Sequence, residues 1–110
     1  MSNERISALE LFLKEDPNDA FSKYALALEY AKIQNTEMAI RLLCQIKKDH
    51  PEYLALYYQL GKFYELNSQQ DNAISIYKYG IDIAQKQNNR HTLSELKQAL
   101  SEISDADDEF

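Results

Sequence analysis

The chain has 110 residues, of which 45% are apolar and 27% charged, and a formal net charge of −6. A length of this order predicts one domain with a modest core, and two glycines and two prolines among many Ala, Leu, Gln, Glu and Lys favour an all-α chain. Acidity without a Lys/Arg stripe argues against nucleic acid, and nothing approaches the ~20 apolar residues of a membrane span.

In chain order, "NERISALELFLKE" (residues 3–15) carries Ile6, Leu9 and Leu13 at i, i+3, i+7, the pattern of an amphipathic helix. Glu4, Arg5 and Glu10 interrupt what a signal peptide would keep apolar, so the expected location is cytoplasmic. "DPNDAFSKYALALEYAKI" predicts a second helix, with Asp16 as N-cap, Pro17 at the first helical position and Asp19 in the first turn. "QNTE" breaks it, and "TEMAIRLLCQIKKD" starts the next behind Thr36 or Asn35. The single cysteine, Cys44, cannot form an internal disulfide and is expected to be a structural thiol on this helix.

His50–Pro51 opens "PEYLALYYQLGKFYEL", "NSQQD" is a turn, and "QDNAISIYKYGIDIAQKQ" is the return helix. The last helix, expected over 89–103, places Leu93, Leu96, Leu100 and Ile103 on one side, with Thr92 and Glu95 at capping-box spacing. That makes six helices in three pairs within 1–104. "SDADDEF" follows, and its last six residues, 105–110, are expected to form an acidic disordered tail.

Sliding the sequence by 34 residues superposes Pro17 on Pro51, Tyr24 on Tyr58, Leu26 on Leu60, Ala27 on Gly61, Tyr30 on Tyr64, Ala39 on Ala73 and Ile40 on Ile74. The matches keep helical spacing, which predicts two copies of a helix–turn–helix unit, over 17–50 and 51–86. Gly61 sits inside a predicted helix, where glycine costs about 1 kcal/mol relative to alanine. On a helical wheel Tyr57, Leu60, Gly61 and Tyr64 form one stripe about 100° wide. A residue without a side chain there lets a neighbouring helix come close.

The period, the two helices per period and the series Leu26, Ala27, Tyr30, Ala39, Pro51 resemble the tetratricopeptide repeat. The second copy supplies Leu60, Gly61, Tyr64 and Ala73, with Tyr77 and Gly80 at the later aromatic and small sites. Tyr57 stands where the family often has tryptophan. Lys23, Leu43 and Ile46 depart from the pattern, and Gln85 replaces the proline that would open a third copy. The resemblance covers residues 17–86 and implies a right-handed helix–turn–helix array, an α-solenoid of about six antiparallel helices. The first helix of the chain is then the second half of a preceding unit, and the last a capping helix.

In that family the first helix of each pair lines a concave surface that takes peptides. The resemblance implies a groove formed by Phe21, Tyr24, Leu28, Tyr58, Lys62 and Glu65, aromatic enough to receive an apolar side chain or an amphipathic helix. Some members grip a C-terminal carboxylate with Lys and Asn; here only Lys62 offers a cation, which disfavours that mode. The expected role is a non-catalytic protein–protein interaction module, a scaffold or adaptor for another protein or peptide. The alternative is a self-associating structural protein whose apolar groove is a homodimer contact.

No enzymatic constellation emerges. His50 and His91 lie far apart with no Cys or carboxylate at metal-ligand spacing, and two glycines cannot build a phosphate loop. No metal, cofactor, nucleic-acid or membrane partner is expected.

Overall fold

The structure, a computed structural model, describes residues 2–104, so the expected disordered tail at 105–110 lies outside the described residues. Every regular element among the described residues is helical: α1 (Ser2–Glu15), α2 (Ala20–Lys32), α3 (Thr36–Asp49), α4 (Ala55–Leu66), α5 (Gln70–Lys86) and α6 (Arg90–Ile103). Their contacts divide the chain into two compact units, with the boundary between Leu56 and Tyr57 inside α4.

Three expected helix starts are corrected, those of α2, α4 and α6. The second helix begins at Ala20 with Asp19 as its N-cap, not at Pro17 behind Asp16. The Asp19 carboxylate accepts from the backbone N–H of Ser22 at 3.2 Å, while the Asp19 N–H closes a turn on the Asp16 carbonyl at 3.3 Å. Pro17 with its fixed φ therefore serves that turn. Pro51 does likewise: the Tyr53 N–H bonds the His50 carbonyl at 2.9 Å, and helix resumes only at Ala55. At α6 the cap is Asn89, which accepts from Thr92 N at 3.0 Å, so Thr92 receives a cap instead of supplying one. Asn35 caps α3 through Met38 N at 3.2 Å.

The turns closing α2, α4 and α5 share one device. Gln34, Ser68 and Asn88 have φ of 68°, 59° and 57°. Each donates its N–H to the carbonyl three residues back (Ala31, Glu65, Gln85), and the next N–H reaches back five residues, to Tyr30, Tyr64 and Ala84. This is the Schellman arrangement, which usually places glycine at the left-handed position. Neither glycine of this chain is used that way. Both lie inside helices.

In the first unit α1 packs on α2 and α2 on α3. The buried apolar side chains are Ile6 from α1, Leu26 and Ala27 from α2, and Ala39, Leu42, Leu43 and Ile46 from α3. A carboxylate is buried with them. Glu29 is 4% exposed, and its Oε2 accepts from Arg5 Nε at 2.9 Å and Lys32 Nζ at 3.2 Å. Burial alone would raise its pKa, but the bonds from Lys32 and Arg5 outweigh burial and hold it below the ordinary 4.5. Tyr30 adds a second link from α2 to α1, donating to Glu10 at 2.5 Å.

In the second unit α5 packs on α6 and the two glycines show how α4 meets α5. A Cβ built on Gly61 would fall into the Tyr77 ring, 2.7 Å from Cδ1 and nearer still to Cε1 and Cζ. One built on Gly80 would come within 2.6 Å of Tyr57 Cβ and 3.1 Å of Leu96 Cδ1. Each helix thus presses a tyrosine ring onto the other helix's glycine. Tyr57 and Tyr77 are fully buried, and burial of both rings (worth roughly 2 kcal/mol each by transferred area) offsets the glycines' intrinsic helix cost.

Candidate functional site

The residues implied as a partner-binding face fall three to each unit. On α2, Phe21, Tyr24 and Leu28 recur at i, i+3, i+7 and so share a stripe. Phe21 is 70% exposed. Tyr24 and Leu28 are half-buried, and the Tyr24 ring leans on Tyr53 with centroids 5.7 Å apart and planes at 54°. Burial, then the neighbouring Tyr24 and Asp19, raise the Tyr53 phenol above its ordinary value. Tyr53, which sits in the connection before α4, is a member of this face that the helical pattern alone does not show.

On α4, Tyr58, Lys62 and Glu65 come together. Lys62 Nζ lies 5.4 Å from the Tyr58 ring centroid, within cation–π range. It is also 3.9 Å from a Glu65 oxygen and 4.0 Å from a Glu102 oxygen. An open cleft of about 180 Å³ runs here between α4 and α6, lined by Tyr58, Lys62, Glu95, Gln98, Ala99 and Glu102. The α6 contribution was not part of the expected face, although Glu95, Gln98 and Glu102 at i, i+3, i+7 form a readable polar stripe. With two carboxylates and a ring already around Lys62, this cleft offers no uncompensated cation to an incoming carboxylate.

Glu65 ties the surface to the core. Its Oε2 accepts from the buried Tyr77 hydroxyl at 2.5 Å. Burial first and this bond second hold the Tyr77 phenol well above its ordinary value.

The residues carrying the repeat signature are placed mostly inside. Leu26, Ala27, Ala39, Leu60, Gly61, Ala73, Tyr77 and Gly80 are buried, while Tyr30, Pro51 and Tyr64 are half-buried. Cys44 is half-buried. The His91 side chain is 85% exposed, 3.7 Å from Glu95, and His50 Nε2 lies 3.1 Å from the Asn18 carbonyl. Among the described residues, no group of three or more His, Cys, Asp or Glu side chains could hold a metal ion, and no helix is long and apolar enough to cross a membrane.

No protein-family model and no curated protein sequence matches the chain. Solved structures do. A crystal structure of a tetratricopeptide repeat domain protein from Salinibacter ruber is 38% identical with a TM-score of 0.74, the match covering 77% of this chain and 94% of that one. The solution structure of a tetratricopeptide repeat domain protein from the same organism is 35% identical with a TM-score of 0.77, covering 86% and 95%. A crystal structure of MamA protein is 26% identical with a TM-score of 0.72; the match covers 94% of this chain and 58% of that one. Identity at this level over nearly the whole Salinibacter domain joins the repeat period and the six helices in one conclusion: the chain belongs to the tetratricopeptide repeat family, whose arrays act as protein–protein interaction modules.

Proposed function

We propose that this chain is a non-catalytic binding module that receives a peptide or helix of another protein on its first-helix faces, Phe21, Tyr24 and Leu28 on α2 and Tyr58, Lys62 and Glu65 on α4. The observation that carries the reading is Phe21, a large apolar side chain left 70% exposed on the same stripe as two half-buried apolar residues. Leaving such a ring in water costs hydration free energy that a partner's apolar side chain recovers. The Tyr24–Tyr53 pair beside it supplies rigid aromatic area that loses little side-chain entropy on binding.

The surroundings of Lys62 favour the same partner chemistry. Its charge is already matched by Glu65 and Glu102, so the occupant is selected by apolar contact and not by a terminal carboxylate. The test is selection of peptides from a displayed random library on the immobilised protein, followed by fluorescence anisotropy with the selected sequence. Phe21→Ala and Tyr58→Ala should each weaken binding about tenfold, equivalent to ~1.4 kcal/mol, with far-ultraviolet circular dichroism unchanged. Peptides whose affinity ignores both substitutions would place recognition elsewhere.

A further inference from the structure

The first and last helices finish their units differently. Every exposed residue of α6 is polar or charged: Arg90, His91, Ser94, Glu95, Lys97, Gln98, Ser101 and Glu102. That is the polar outer face a terminal helix of a repeat array needs for solubility. Helix α1 lacks it. Leu11 is 64% exposed and Phe12 48%, with Ala8 exposed beside them. These are not the core-facing Ile6, Leu9 and Leu13; they form a second apolar stripe. Phe12 also borders an apolar cleft of about 280 Å³ between α1 and α2, lined by Arg5, Ala8, Leu9, Phe12 and Ser22.

We propose that this outer face of α1 is a homodimer interface, occupied by α1 of a second copy lying antiparallel to it. The argument is self-complementarity. At about 100° per residue, Arg5, Ala8, Phe12 and Glu15 fall within about 80° of one another. In an antiparallel pair related by a two-fold axis, Ala8 faces Phe12 of the second copy and Arg5 faces its Glu15, and both pairings occur twice. Ala8 is the small residue lining the open cleft and Phe12 the large one on the same wall, so each copy brings both the knob and the hole. The charges agree: Arg5 uses Nε on Glu29 while its side chain stays 60% exposed, leaving further N–H donors for an exposed Glu15. Leu11 flanks the stripe and is covered with it. This surface is separate from the α2 and α4 faces proposed for a partner, so either assignment can fail alone.

Sedimentation equilibrium of the full chain decides it. The wild type should reach the dimer mass in the micromolar range. Glu15→Arg sets arginine against Arg5 at both ends and should raise the dimer dissociation constant at least about tenfold, or ~1.4 kcal/mol. Phe12→Ser should do the same by removing the knob. Circular dichroism checks helix content; if Phe12→Ser loses helix, Glu15→Arg, which alters no buried side chain, still decides. A wild type that stays monomeric at concentrations of about 100 μM overturns the proposal. So does a dimer indifferent to both substitutions, or one abolished by Phe21→Ala instead.

Discussion

The two repeats solve one packing problem with opposite choices of size. In the second, Gly61 accepts the Tyr77 ring and Gly80 accepts Tyr57. The positions 34 residues earlier are Ala27, Leu43, Ile46 and Lys23. There the fully buried set is Ala27, Leu43 and Ile46, with Lys23 half-buried in the place of Tyr57. Small opposite large becomes medium opposite medium. The apparent departures of the first repeat from the family pattern are therefore coupled: where the ring is absent, the glycine that would receive it is absent too. The second unit keeps Tyr57 and Tyr77 inside and presents a polar α6, with Leu66 and Tyr79 exposed elsewhere on it, whereas the first has an aliphatic core and leaves Leu11, Phe12, Phe21 and Ile33 outside.

Cutting a ring breaks this comparison most sharply. Tyr77→Ala should destabilise the second unit by about 3–5 kcal/mol, the cost of emptying a fully buried aromatic site, read from urea unfolding. Filling the glycines comes next. Gly61→Ala should cost more than Gly80→Ala, because the new methyl would fall into the fully buried Tyr77 ring, which its bond to Glu65 also holds, whereas at Gly80 Tyr57 Cβ alone comes under 3.0 Å. Overpacking of about 1–3 kcal/mol less the ~1 kcal/mol gained from helix propensity leaves about 0–2 kcal/mol, and because both sites have a Cβ contact under 3.0 Å the upper part of that range, net destabilising, is expected. In an exposed helix interior the same change would stabilise, so the sign alone is diagnostic.

Acid tests the first unit. The depressed pKa of Glu29 means that its stabilising contribution is present above 4.5 and is lost as pH falls through the lower folded-state value. Glu29→Gln should flatten that part of the profile, visible as urea midpoints that change less with pH below 4.5 than in the wild type. The smallest effect is expected at the turns. Ser68 and Gln34 hold left-handed φ without being glycine, so Ser68→Gly should raise stability by about 0.5–1 kcal/mol, in contrast to every substitution of the interior glycines.

Much of this was legible before any coordinates. The 34-residue self-match depends on Leu, Ala, Gly and Tyr recurring at helical spacing, and those positions are now the core. Helix starts were misread at Asp16 and Thr92 because proline and threonine fit two local roles equally well. Which role is taken depends on whether a nearby Asp19 or Asn89 reaches the orphan N–H groups. The burial of Glu29 had no sequence signal, since its partners come from another helix as well as its own. Leu11 and Phe12 were plainly apolar, but periodicity assigned α1 a single buried stripe and had no means of marking a second. Likewise α6 was read for its leucines, while Glu95, Gln98 and Glu102 became part of a site only where α4 stood opposite them.

A double-mutant cycle on Gly61→Ala and Tyr77→Leu, followed by urea unfolding, tests the coupling of ring and glycine within the second repeat most directly, because the double variant writes the first repeat's Ala27 and Leu43 into the second. Coupled sizes predict that the pair is at least ~1 kcal/mol more stable than the sum of the single effects. Additivity within about 0.5 kcal/mol would mean that the ring and the glycine are independent, and would contradict the account.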